Sequence, residues 1–178
     1  MIIRLARPSD VDTIEAWRAE RLAWLASCGS DQWSNPMPRR VLDAEARAGL
    51  TWMVCDGAVP MLTISVLSYE DFDPRWSPDS GDDPMWPDDP RAALYAARMV
   101  GPRRFAGLGL GGEALDWAAG RANDAGVPWL RLDAWNSNTA LHGYYRRLGF
   151  HHMRTVTGPS GTCFQRPAAP YGGYLRHG

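Results

Sequence analysis

The chain has no lysine: all 19 of its Lys/Arg positions are arginine, so it cannot acylate lysine side chains of its own. The arginine-only usage is read as biased codon usage rather than chemistry. Cysteine is scarce. Cys28, Cys55 and Cys163 are odd in number and form no C-x-x-C pair, which excludes a disulfide framework and a zinc knuckle. They fit reduced thiols in a cytosolic protein, and no metal site is predicted. No apolar run approaches the length of a membrane span, and residues 1–8 lack the apolar core of a signal peptide. A cytoplasmic location and no membrane partner are therefore expected. Net charge is -1, so the cationic excess of a nucleic-acid binder is missing as well. With 45% hydrophobic and 22% charged residues the composition is that of a folded globular chain. Its 178 residues suffice for one domain with a sizeable core.

What is present alternates between strand and helix patterns. Residues 2–5 read as a short strand. Ser9, with Asp12 three positions on, signals a helix start, and the helix runs to about Ser27 on a stripe of Val11, Ile14, Trp17, Arg18, Leu22 and Leu25. A loop over 28–36 leads to a second helix over 38–49. Strands over 51–55 and 59–68 are joined by Asp56-Gly57, a strong hairpin signal. Residues 70–90 stand apart, with five prolines, Trp76, Trp86 and eight acids against the single base Arg75. A long segment without periodicity is often functional. It would draw in a cationic acceptor, and Trp76 or Trp86 could cover an amine. Further elements are a strand over 92–100, a helix over 110–125, a strand over 129–135, a helix over 138–148 and a hairpin of strands over 150–157 and 161–166. Residues 167–178 are expected to be a flexible tail after a single domain over 1–166.

Two stretches carry chemistry. Arg104-Phe105-Ala106-Gly107-Leu108-Gly109-Leu110-Gly111-Gly112 follows a strand and opens a helix. Glycines let backbone approach an anion, and the unpaired amides of a helix start point at it along a favourable dipole. Downstream, Asn138 opens a short helix that presents Tyr144 and Tyr145 and stops at Gly149-Phe150. Gly107, Gly109 and Gly112 also satisfy a dinucleotide fingerprint. Residues 103–106 separate the preceding strand from the first glycine, where such a turn would be tight, and too little chain follows for a doubly wound sheet.

The two stretches together resemble the GNAT superfamily of N-acetyltransferases. Its pyrophosphate loop, Arg/Gln-x-x-Gly-x-Gly/Ala, matches Arg104, Gly107 and Gly109. Its later signature matches Asn138, Tyr145, Gly149 and Phe150. The resemblance implies an α/β fold of layered α+β type, a central mixed twisted sheet flanked by helices in the order β-α-α-β-β-β-α-β-α-β-β. It implies acetyl-CoA as co-substrate and a primary amine of a small molecule, or a peptide N-terminus, as acceptor. A homodimer is possible. By the same resemblance Met99 and Val100 pair with the pantetheine amides, while the backbone of Arg104, Phe105, Ala106, Gly107, Leu108 and Gly109 holds the pyrophosphate. The family places valine where Met99 stands and a proline soon after, against Gly101-Pro102 here. Asn138 caps its helix and holds the cofactor arm or a neighbouring loop.

Direct transfer needs a proton donor for the leaving thiolate, and a tyrosine hydroxyl suits that role. Counting back from Gly149-Phe150 gives Tyr145; a shift of one residue would give Tyr144. The general base is less determined. Relatives use a glutamate on the strand before the cradle, whereas this strand offers Tyr95, Arg98 and Met99. Asp133 on the next strand is the first candidate; His142, His151, Asp88 and Asp89 are others, and an amine of low pKa needs none. His142 is read as a surface residue. Asp31-Gln32-Trp33 either packs or lines the acceptor site. The missing strand carboxylate also admits an alternative: a non-catalytic module of the same fold that senses acyl-CoA.

Overall fold

Alternating apolar residues and the Asp56-Gly57 turn produce the hairpin the sequence predicts. β2 (Thr51–Asp56) pairs antiparallel with β3 (Val59–Leu67), and Gly57 takes φ 56°. A computed structural model describes residues 1–34, 37–71 and 85–178. The remaining elements are β1 (Ile2–Leu5), α1 (Val11–Ser27), α2 (Arg39–Arg47), β4 (Ala93–Val100), α3 (Leu110–Asp124), β5 (Trp129–Trp135), α4 (Thr139–Arg147), β6 (His151–Thr155), β7 (Ser160–Pro167) and β8 (Arg176–His177). The mixed α/β order is the one expected, with β8 added.

Contacts group the chain into two compact units where the sequence predicts one domain over 1–166. The first comprises Met1–Val66, Arg98–Leu115 and Gly172–Gly178; the second comprises Leu67–Ala97 and Asp116–Tyr171. In the first unit the strands run β3-β2-β1-β8, with β8 parallel to β1 and the other pairs antiparallel. Val11, Ile14 and Trp17 of α1 meet Leu42 and Ala46 of α2, Met53 and Cys55 of β2, and Val100 in one buried cluster. The helix starts at Val11 rather than Ser9. Asp10 anchors it, accepting from the Arg7 amide and from the Arg4 guanidinium at 2.7 Å each.

In the second unit the order is β6-β7-β5-β4, parallel between β4 and β5 and antiparallel elsewhere. Phe150 and Phe164 are fully buried beside α4, each contributing about 1.5–3 kcal/mol of apolar burial. Arg131 of β5 is buried with them and fully satisfied. Its guanidinium donates to Gln165 Oε1 (3.1 Å), the Asp89 carbonyl (3.2 Å) and the Asp88 carboxylate, and lies 4.6 Å from the Trp86 ring centre.

The segment after β7 makes close contacts of its own. A Cβ on Gly120 of α3 would stand 2.5 Å from Tyr171 Cβ, so the bare glycine is what admits Tyr171. Leu175 is buried, and β8 then completes the first unit's sheet. Proline and glycine content suggested looseness, but one aromatic fitted over one glycine holds the segment. Of the acidic stretch, residues 72–84 lie outside the described residues, Trp76 and Arg75 among them. Trp86 is described, and it is buried with an arginine against its ring, so it does not serve an incoming amine.

Gly101 admits no side chain: an added Cβ would lie 2.4 Å from the Met61 carbonyl oxygen. Gly101→Ala should therefore cost about 1–3 kcal/mol through overpacking. Urea unfolding of the two proteins should show this as a lower midpoint at unchanged slope.

Candidate functional site

In the first unit the chain leaves β4, makes a single 3-10 turn over Arg103–Phe105 and enters α3 at Leu110. Gly107 and Gly109 take φ 84° and 76°, a region that strains any residue with a Cβ. Nothing lies within 4 Å of where those Cβ atoms would be, so the space before them is open. Leu108 between them is 59% exposed. The amides of Phe105, Ala106 and Leu108 are spent on turn bonds to Pro102, Arg103 and Phe105 at 3.1, 2.9 and 3.5 Å. Among the described residues the amides of Gly107, Gly109, Leu110, Gly111 and Gly112 have no protein acceptor. Gly107 and Gly109 fall in the 104–109 window named from the sequence, and Leu110 to Gly112 carry the open donors on into the first turn of α3. Their signal was available: the first turn of any helix has orphan donors.

Side chains from α1 brace this loop. Glu20 Oε1 accepts from the Arg103 amide at 3.2 Å, and Arg21 donates to the Gly101 carbonyl at 3.2 Å. The Arg103 and Arg21 guanidinium groups lie 4.7 and 5.4 Å from the Trp24 ring centre. Burial and the neighbouring Arg103 both push the Arg21 pKa down, the mark of two cations held close. The Arg104 guanidinium lies 4.7 Å from the Phe105 ring centre. A loop with open space, five unused amides and three arginines fits a diphosphate. Sequence periodicity put Glu20, Arg21 and Trp24 on a helix but gave no reason to aim them at a loop eighty residues later.

Upstream on β4, Val100 is buried and Met99 half-buried. Arg98 has φ 54°, unusual for a residue with a side chain, so the strand is irregular just before the predicted pantetheine-pairing positions. A carboxylate does reach this strand, though not from it. Glu45 of α2, 6% exposed, is 3.0 Å from Arg98 Nη2 and accepts from Ser65 Oγ at 3.0 Å.

In the second unit β4 and β5 pair only over Ala93–Trp129, Leu94–Leu130 and Tyr95–Arg131. β5 continues against β7 as far as Trp135, but β4 takes no further β5 partner after Tyr95. Asn138 caps α4, its Oδ1 accepting from the Leu141 amide at 2.9 Å, as predicted. Tyr145, 8% exposed, sits 5.8 Å from both Phe150 and Phe164, ring centre to ring centre. Among the described residues no hydrogen bond reaches its hydroxyl, and that oxygen is not among the sealed, unpaired polar atoms, which belong to Trp86, Trp135 and Arg166. Burial, then the Asp133 carboxylate, then Tyr144 push its pKa well above the ordinary phenol value. Tyr144, the alternative by a shift of one residue, is the more exposed of the two, half-buried with its pKa raised by burial and by Asp116. Asp133 is exposed on β5 and receives a short hydrogen bond from Ser160 Oγ.

Of the other base candidates, His142, Asp88 and Asp89 are occupied. His142 is buried rather than at the surface, because its ring spans from the Trp135 carbonyl (Nε2 to oxygen, 3.0 Å) to the Phe164 ring at 5.6 Å. Asp88 pairs with Arg131, and Asp89 Oδ1 accepts from the Arg91 amide at 2.9 Å. His151 is exposed at the start of β6. Gln32 is buried and Trp33, at φ 64°, packs on the first unit's core, so this loop is at least partly packing. Asp31 precedes them and its carbonyl accepts from the Ser34 amide at 3.1 Å.

No family model matches the chain. The uncharacterized N-acetyltransferase YesJ of Bacillus subtilis (strain 168) is 29% identical over 151 residues, 81% of this chain and 78% of that protein. An acetyltransferase of the GNAT family from Listeria monocytogenes 4b F2365 superposes with a TM-score of 0.73 at 23% identity, covering 93% of this chain and 94% of that one. YncA of Salmonella typhimurium, a putative acetyltransferase solved with acetyl-CoA, gives 0.62 at 15% identity over 98% and 97% of the two chains. The chain has the GNAT fold, and the resemblance drawn from the two motifs holds along nearly its whole length.

The raised pKa of Tyr145 has a measurable consequence. The folded state keeps this proton above pH 10, where the unfolded chain releases it. Its contribution to stability is complete below the unfolded value and is lost as pH rises from there through the folded value. Tyr145→Phe should flatten the fall in unfolding free energy above pH 10 by up to about 1.4 kcal/mol per pH unit, read from urea titrations at pH 9, 10 and 11.

Proposed function

We propose that the chain is an N-acetyltransferase that moves the acetyl group of acetyl-CoA to a primary amine of a small molecule by direct attack. The observation that carries this is the open loop at the start of α3, with its unused amides and vacant space before Gly107 and Gly109. A diphosphate satisfies those donors and lies along the helix dipole. Arg21, Arg103 and Arg104 add charge around it. The backbone of Met99 and Val100 pairs with the pantetheine amides, continuing an irregular strand whose next neighbour has already parted from it.

The amine nitrogen attacks the thioester carbonyl carbon, the carbon–sulfur bond breaks, and the sulfur leaves with the bonding pair. One proton must reach the sulfur and one must leave the nitrogen. The Tyr145 hydroxyl supplies the first, being protonated at neutral pH and free of other hydrogen bonds among the described residues. Asp133, beside the phenol and held by Ser160, is the proposed acceptor for the second, directly or through water. Asn138 fixes the start of α4 and hence the position of Tyr145 two turns on.

Titration calorimetry should show acetyl-CoA binding in the micromolar range, and absence of binding would sink the proposal. Free-thiol release across a panel of amines should then reveal turnover. Tyr145→Phe should lower kcat about 10²- to 10³-fold with acetyl-CoA affinity unchanged. Binding without turnover for any amine would instead favour an acyl-CoA sensor.

A further inference from the structure

Two guanidinium groups meet at Met37 in the first unit. Arg98 of β4 places Nε 3.1 Å from Met37 Sδ, and Arg18 of α1 places both terminal nitrogens 3.4 Å from the Met37 carbonyl oxygen. Their compensation is unequal. Arg98 has Glu45 at 3.0 Å, but that carboxylate also binds Ser65. Arg18 has Glu15 at 3.6 Å, a carboxylate that Arg39 shares at 3.4 Å. Its carbonyl contacts are equally long. Among the described residues, then, Arg18 makes no short ion pair, although its side chain is only 17% exposed.

Such an arrangement opposes itself. Burial lowers the pKa of Arg18, Glu15 offsets part of that, and Arg98 lowers it further. Arginine does not discharge at physiological pH, so the two cations stay close beside the partial compensation of Glu45 and Glu15, and a further anion would relieve them. Position says which anion. Arg98 immediately precedes Met99 and Val100, and the chain continues from there into the loop at α3. With the diphosphate on that loop and the arm along Met99 and Val100, the thioester end arrives beside Arg98.

We infer that Arg18 and Arg98 form an anion subsite beside the transferred acetyl group, and that the acceptor is an amine bearing a carboxylate, as an amino acid does. The inference rests on the acetyl-transfer function proposed above. Planar guanidinium groups bind a carboxylate through paired N–H donors, which would orient the acceptor.

The test compares amino acids with their own amides as acceptors, in thiol-release assays of the full chain. The wild type should favour the carboxylate member of each pair by at least about tenfold. Arg18→Gln should lower kcat/KM for the carboxylate acceptors roughly 10- to 100-fold, leave the amides unchanged, and keep the acetyl-CoA affinity seen by calorimetry. Arg18→Lys should restore part of the loss, which a merely structural role would not predict. Amides accepted as well as the acids, an equal loss on both, or acetyl-CoA binding with no amino acid acetylated would each overturn the subsite. Failure of wild-type protein to bind acetyl-CoA would instead overturn the acetyl-transfer proposal itself. Thermal melts of both variants separate misfolding from loss of recognition, since Arg18 has only long contacts to lose.

Discussion

The amides of Leu110, Gly111 and Gly112 at the start of α3 have no carbonyl to bond among the described residues, and the residues around them preserve that deficit. Helix geometry creates it, because the first four N–H groups of any helix lack an intrahelical partner. Most helices cover it with a capping side chain. Here the residues before α3 are Gly107, Leu108 and Gly109, none of which has a side-chain acceptor, and both glycines take positive φ with open space where a Cβ would stand. Two further constraints hold the loop in place. Gly101 lets the chain run against the Met61 carbonyl, closer than any side chain permits, and α1 ties down Arg103 through Glu20 and Trp24. The proposed diphosphate would complete the hydrogen bonding left open there.

In the second unit two enclosed polar side chains are bonded while one hydroxyl is left available. Arg131 spends its guanidinium on Gln165, Asp88 and the Asp89 carbonyl, and His142 spends its Nε2 on Trp135. Aromatic rings fix Tyr145 on two sides while its hydroxyl stays uncommitted among the described residues. The low dielectric that raises its pKa also strengthens any hydrogen bond the hydroxyl does make. A phenol in water would be both floppier and a weaker donor to sulfur.

What could be read from the sequence divides along a physical line. Local signals were legible: the Asp56-Gly57 hairpin, the Asn138 cap, the glycine loop opening a helix and the strand patterns of β4, β5 and β7 all depend on neighbours in the chain. Long-range signals were not. Nothing in the segment 167–178 announces that Tyr171 fits over Gly120, because the fit is a property of two backbones. His142 reads as a surface residue on a short polar helix until β5 and β7 supply Trp135 and Phe164. Trp86 looks available in an acidic, proline-rich run until Arg131 arrives from another strand. Arg18 was counted into the stripe of α1, which was correct for its position and silent about its charge. Burying that charge is unfavourable in itself, and Arg98, eighty residues on, adds to it.

The absence of a glutamate on β4 then ceases to be a gap. A primary amine with a pKa near that of lysine, about 10.4, is neutral in roughly one molecule per few thousand at pH 7. Every unit by which that pKa falls gains a factor of ten in nucleophile, and cationic neighbours lower it by disfavouring the ammonium form. An acceptor amine whose own pKa is low therefore needs little help from a base. The raised pKa of Tyr145 presents the converse difficulty, since it makes full ionisation of the phenol costly. Asp133 beside the hydroxyl adds to that cost while it is charged, and the addition falls away once it has taken the nitrogen proton, because a neutral carboxyl no longer opposes a phenolate. In the proposed transfer a carboxylate on β5 then serves in place of a base on β4.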